Sequence, residues 1–150
     1  MMRKLRELFN WPEASSPGES DEQDRIQLST AVLLVEIARA DHERQEVEVV
    51  EMRKQLATNF GLSEEEARAL LAAAESAVEH SVSLHEFTRL LHDEMTYAEK
   101  KTVIEMLWRI ALADDNLDKY EDYMIGKIAD LLYMARGDVI RLKSLVIDVR

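Results

Sequence analysis

There is no cysteine in this chain, and only four glycines and two prolines among its 150 residues. Without cysteine there can be no disulfide, no thiolate metal site and no thiol redox chemistry. So few backbone breakers leave little punctuation for a turn-rich β architecture. No run approaches the roughly 18 apolar residues of a membrane span. No apolar core with a small-residue cleavage site marks a secretory signal. Positive charge is the minority sign, with 19 Lys and Arg against 30 Asp and Glu, a formal balance of −11. A surface of that sign repels phosphate backbones, so nucleic acid is not an expected partner. Motifs of chemistry are missing as well: no G-x-S-x-G, no phosphate loop, no G-x-G-x-x-G and no visible nucleophilic triad.

What is present is helix. Hydrophobic residues make up 47% of the chain, enough for one domain with a real core. The segments "DRIQLSTAVLLVEIARAD", "VEVVEMRKQLATNF", "SEEEARALLAAAESAVEH", "SLHEFTRLLHDEM", "TYAEKKTVIEMLWRIALAD", "DKYEDYMIGKIADLLYMA" and "GDVIRLKSLVIDVR" follow one another with helical spacing. Ser63 with Glu66, Ser83 with Glu86 and Thr96 with Glu99 stand at capping-box spacing, and Gly61 is placed to end a helix. The expectation is an all-α domain of seven helices.

Residues 1–11, "MMRKLRELFNW", differ from the rest. Arg3, Lys4 and Arg6 make them basic, and Met1, Leu5, Leu8 and Phe9 form an apolar stripe. Residues 12–20 hold both prolines and read as a linker, which leaves 21–150 as the helical domain. The head is either a helix folded back on its own domain, the simpler reading, or an anchor for a partner or a membrane surface. The expected compartment is cytoplasmic, with a peripheral contact at the inner membrane if the head is an anchor.

The chain repeats itself. Displaced by 73 positions, Ile37-Ala38-x-Ala40-Asp41 falls on Ile110-Ala111-x-Ala113-Asp114. Each copy is an apolar helix, an acidic elbow and a second amphipathic helix, so the chain reads as a duplicated helical hairpin. Counting the Asp as position one, oxygen-bearing side chains recur at one, three, five and eight. They are Asp41, Glu43, Gln45 and Glu48 in the first copy, and Asp114, Asn116, Asp118 and Glu121 in the second. Alternating oxygens in a tight turn can wrap a hard cation such as Ca²⁺ or Mg²⁺. Acids at a helix tail oppose the macrodipole, so their presence there asks for a reason. A standard EF-hand is excluded, because its sixth position is Lys119 where Gly is required and its twelfth is Ile125 where Glu should chelate. The alternative to a cation is capping: Asp118 and Glu121 are spaced to open the following helix.

The paired "A-D-x6-E" elbows, Ala40-Asp41 to Glu48 and Ala113-Asp114 to Glu121, together with "LWRIALADDNLDKYEDYMIGKIADLL", resemble the TerB-like family of tellurite-resistance proteins. The likeness covers about Ile26 to Leu145. The family pattern has Gly directly after the Asp, where this chain has His42 and Asp115. The resemblance implies an all-helical, internally pseudo-symmetric bacterial module without catalysis. It further implies a stress-related setting, in some members near membranes, and a divalent-cation role for the acids.

His80, His85 and His92 invite a zinc reading, but no Glu-x-x-His or His-Glu-x-x-His occurs, so surface histidines are expected. Trp108, Phe60, Phe87 and Tyr123 are expected in the core, while Tyr120, Tyr123, Tyr133 and the seven methionines are candidates for a partner groove. The function expected is a binding or scaffold module that engages a protein partner. Its metal ligands would be Asp114, Asn116, Asp118, Glu121, Asp41, Glu43 and Glu48, with no other cofactor. The rival is an enzyme using those carboxylates with Mg²⁺ for hydrolysis or phosphoryl transfer.

Overall fold

A computed structural model describes residues 19–40, 46–80, 83–113 and 119–148. The head and most of the linker lie outside these, as do five residues at each elbow. Seven helices account for the described chain: α1 (Glu19–Ala40), α2 (Glu46–Phe60), α3 (Glu64–His80), α4 (His85–Glu94), α5 (Tyr97–Ala111), α6 (Lys119–Leu131) and α7 (Arg136–Asp148). No strand occurs among the described residues.

α1 is the axle. From Ser29 to Val35 every residue is buried, and Ile37 and Ala38 have no exposure at all. A helix buried on all sides must be surrounded, and α1 packs against α2, α3, α4, α5 and α6. α5, its counterpart in the repeat, is the second buried rod, with Val103, Ile104, Met106, Leu107, Trp108, Ile110 and Ala111 inside. Each large aliphatic side chain removed from water there contributes about 1.5–3 kcal/mol before the entropy cost of ordering it. α7 closes one flank of α5. Trp108 Nε1 donates to the Val139 carbonyl at 3.1 Å, and the Tyr97 hydroxyl donates to Asp138 at 2.5 Å while accepting from the Ala135 N–H at 3.0 Å.

Local chemistry sets the helix ends. Ser63 and Glu66 exchange hydrogen bonds in both directions, 3.0 and 2.9 Å, at the start of α3. Thr96 and Glu99 do the same at the start of α5, 3.2 and 2.9 Å. The expected box at Ser83 is not formed, because α4 is capped by Leu84 and Ser83 lies one residue too early. Its hydroxyl instead accepts from the His85 N–H at 3.0 Å.

The two repeats end alike. α2 closes with Gly61 at φ 63°, and the Leu62 N–H returns to the Ala57 carbonyl at 3.0 Å. α6 closes with the same six-residue loop-back, Met134 N–H to Ala129 carbonyl at 3.0 Å, but the left-handed position is Tyr133 at φ 57°. A left-handed backbone is cheap for glycine and costs other residues roughly 1–2 kcal/mol.

Among the aromatic expectations, Trp108 is buried, and Phe60 and Phe87 are half-buried against the core. Tyr123 is a correction: it is 65% exposed. Its neighbours Met124 and Ile125 face inward instead, which turns Tyr123 to the solvent side of α6. Among the described residues no helix is long and apolar enough to cross a membrane.

Candidate functional site

Of the seven ligand candidates, Asp41, Glu43, Asp114, Asn116 and Asp118 lie outside the described residues, as does Gln45. Glu48 and Glu121 are described, and their placement is unusual. Each is the third residue of the helix leaving its elbow, and each has zero exposure. The match extends down the helix: Met52 and Ile125 are both fully buried, and Leu56 and Ala129 follow inside at the same spacing. The duplication is therefore one of packing register as well as of letters.

A carboxylate without exposure is costly unless its charge is met by hydrogen bonds or by an opposite charge. First-turn placement supplies part of that compensation, since the free N–H groups and the positive end of the dipole favour an acid there. Leu or Met at the same positions would fill the space without that cost. Glutamate at both copies is a choice of chemistry over packing.

Ala40, immediately before the first elbow, and Tyr120, two residues after the second, line one cleft of about 390 Å³. Glu36 and Arg39 of α1, Val78 of α3 and Met124 of α6 complete it. Glu48 and Glu121 stand one turn inside the helices that rise from those elbows. Oxygen is the only donor at the seven ligand positions, which suits Ca²⁺ or Mg²⁺ and not the softer metals. Among the described residues alone, no group of three or more His, Asp or Glu is close enough to hold a metal.

A second cleft, of about 400 Å³, was not legible as a unit in the sequence. It runs between α4 and the end of α6 and is lined by His85, Arg89, His92, Asp93, Asp130 and Tyr133. Behind His92 stands Lys100, only 6% exposed. Its ammonium donates to His92 Nδ1 at 2.6 Å and to the Leu132 carbonyl at 3.1 Å. An ammonium has only protons to give, so the His92 Nδ1 accepts in this contact. Lys100 thus caps the carbonyl end of α6, where the dipole favours a cation. The Tyr133 ring lies 4.4 Å from the His92 ring, tilted by 43°. His80 and His85 are exposed and His92 is half-buried. His92 and Lys100 stand on different helices, α4 and α5, so no helix-face spacing in the sequence joins them.

No curated protein and no solved structure matches the chain. A family model described as "Tellurite resistance protein TerB" matches residues 27–144, from within α1 to within α7. With the match running through both hairpins and both elbows, the chain belongs to the TerB family.

Proposed function

We propose that this domain is a non-catalytic, cytoplasmic binding module whose paired acidic elbows coordinate a divalent cation and so shape a surface for a protein partner. The observation that carries the reading is the matched burial of Glu48 and Glu121, each third in the helix that follows an acidic elbow in the sequence. Asp114, Asn116, Asp118 and Glu121 would supply oxygens from the second copy, and Asp41, Glu43 and Glu48 from the first. A bound Ca²⁺ or Mg²⁺ would neutralise acids that otherwise repel one another at the helix tails. It would also fix the angle at which α2 leaves α1 and α6 leaves α5. With no thiol in the chain, its part in any tellurite-related stress is binding and not reduction.

A specific observation favours a second reading. Tyr120 is 64% exposed beside the cleft, and Met124 is partly exposed within it. Glu36 and Arg39 beside an aromatic and a thioether suit an amphipathic partner even without an ion.

Thermal melts in excess EDTA, in millimolar Ca²⁺ and in millimolar Mg²⁺ separate the two. A ligand at 100 times its dissociation constant adds about 2.7 kcal/mol, which at roughly 2–4 °C per kcal/mol raises the midpoint by several degrees. The cation reading expects that rise, and expects Asp114→Asn with Glu121→Gln to remove it. Equal midpoints in all three buffers leave the elbows as helix caps and a docking face.

A further inference from the structure

Gly126 sits in the middle of α6, where glycine weakens a helix relative to alanine. Such a residue usually makes room for a neighbour. Here a Cβ built on Gly126 would meet nothing within 4 Å, so the domain's own packing does not require the glycine. The space it leaves belongs to a groove of about 380 Å³ between α6 and α7. Trp108, Ala129 and Val139 form its floor, and Gly126 and Ile140 its walls. Ile140 is 60% exposed, and Ile147, two turns along the same face of α7, is 49% exposed. The ion pairs Lys143–Asp122 at 3.2 Å and Arg136–Asp130 at 3.4 Å sit on the rim. An apolar floor, a missing side chain and a charged rim make a seat for an amphipathic helix.

We infer that the groove's occupant is the basic, amphipathic segment of residues 1–11 of the same chain. Its stripe of Met1, Leu5, Leu8 and Phe9 matches the apolar floor, and its bases match a domain that is otherwise strongly acidic. Connectivity agrees. α1 begins at the end of the bundle beside Glu94, where the neighbouring Glu22 pushes the Glu94 carboxyl above its usual range. Three residues on from Glu94, Tyr97 is bonded to Asp138 and Ala135, at the start of α7. The chain therefore enters the domain beside the end of α7 that carries Arg136. Residues 12–18 can span up to about 25 Å when extended, enough to lay the head along the groove. Tethering makes this an intramolecular event at an effective concentration in the mM range.

Trypsin acting on the intact protein tests this at Arg3, Lys4 and Arg6. The control is Gly126→Arg, which favours the helix, fills the groove and repels the basic head. A docked head is cleaved roughly ten-fold more slowly in the wild type than in Gly126→Arg, as an effective concentration ten times the segment's own dissociation constant requires. The protection must not vary with protein concentration. A second readout keeps the Trp108 floor intact: subtracting the spectrum of Trp11→Phe, in which Trp108 is the sole tryptophan, isolates Trp11. Its emission is expected to be blue-shifted, and to turn solvent-like when Gly126→Arg is added. Equal cleavage rates in the two proteins with solvent-like Trp11 emission overturn the inference. So does protection that grows with protein concentration, which assigns the groove to a second copy. Protection seen only with anionic vesicles overturns it in favour of a membrane surface.

Discussion

Glu48 and Glu121 lie 73 residues apart in sequence and hold the same position in the two halves of the molecule, third in the helix after an acidic elbow and wholly buried. Two carboxylates kept inside at equivalent places couple the duplicated fold to its chemistry. They also give the cation reading a sharper form. If one ion serves both elbows, either acid is indispensable; if each elbow holds its own, the losses add.

Glu48→Gln and Glu121→Gln keep shape and hydrogen-bonding capacity but remove charge. For one shared ion, we predict that each single variant abolishes the Ca²⁺- or Mg²⁺-dependent rise in melting midpoint. For two independent ions, each variant keeps about half of it, near 2.7 kcal/mol per remaining site at 100 times the dissociation constant. Calorimetric melts in EDTA and in either cation distinguish the cases. A full rise in the double variant would remove both acids from the ion.

At the end of α6 we predict that Tyr133→Gly leaves stability within about 0.5 kcal/mol of the wild type. It relieves a left-handed backbone worth roughly 1–2 kcal/mol, but loses the His92 ring contact of about 0.5–1.5 kcal/mol and gains unfolded-state freedom. Tyr133→Val loses the ring and adds a β-branch to a left-handed backbone, so a cost above 1 kcal/mol is expected. Urea titration of the pair checks the ordering. A Val variant as stable as the Gly variant would mean that no strain is held there.

Thr30 is fully buried in α1, and its hydroxyl has no hydrogen-bond partner among the described residues. Valine has the same shape without the desolvated oxygen. Thr30→Val is therefore predicted to stabilise by about 1 kcal/mol, which for a chain of this size is a gain of roughly 2–4 °C. A lower midpoint would show that the hydroxyl is satisfied.

The bond that ties α5 to α7 is predicted to weaken at both extremes of pH. The Tyr97 hydroxyl, and after it Arg141, hold the Asp138 carboxyl below its ordinary range. That contribution is complete above about pH 4 and is lost as pH falls through the depressed value. The same bond pushes the Tyr97 phenol above its ordinary value. Its contribution is complete below about pH 10 and is lost as pH rises through the raised value. Tyr97 is exposed and Asp138 is only half-buried, so the effect is small. Tyr97→Phe should lower the midpoint at neutral pH and flatten both limbs of a melting profile taken from pH 3 to 11. Limbs as steep as in the wild type would assign them to other groups.

Much of the fold was legible because apolar spacing and cap chemistry act locally. Ile37-Ala38 and Ile110-Ala111 are buried to the same degree, as their repeat demands. Gly61, Ser63–Glu66 and Thr96–Glu99 end or begin helices where their side chains permit it. Tyr133 was not legible, because no propensity places a tyrosine in a left-handed turn; contacts from α4 and α5 hold it there. Tyr123 was misplaced because spacing alone cannot say which of two adjacent residues meets the core. The burial of Glu48 and Glu121 also escaped the sequence. Glutamate in a first turn is ordinarily a solvated cap, and only the packing of α1 and α5 turns these two inward.

The central place of α1 also bears on how the chain comes off the ribosome. α1 is made before the other described helices, yet α5 and α6, which cover much of it, come third from last and last but one. At about 5–20 residues per second the nascent α1 waits on the order of ten seconds for those partners. Throughout that interval α2, α3 and α4 are its only native cover. A nascent chain built this way presents a hydrophobic rod to chaperones, and a stalled or truncated product ending before α5 would be aggregation-prone.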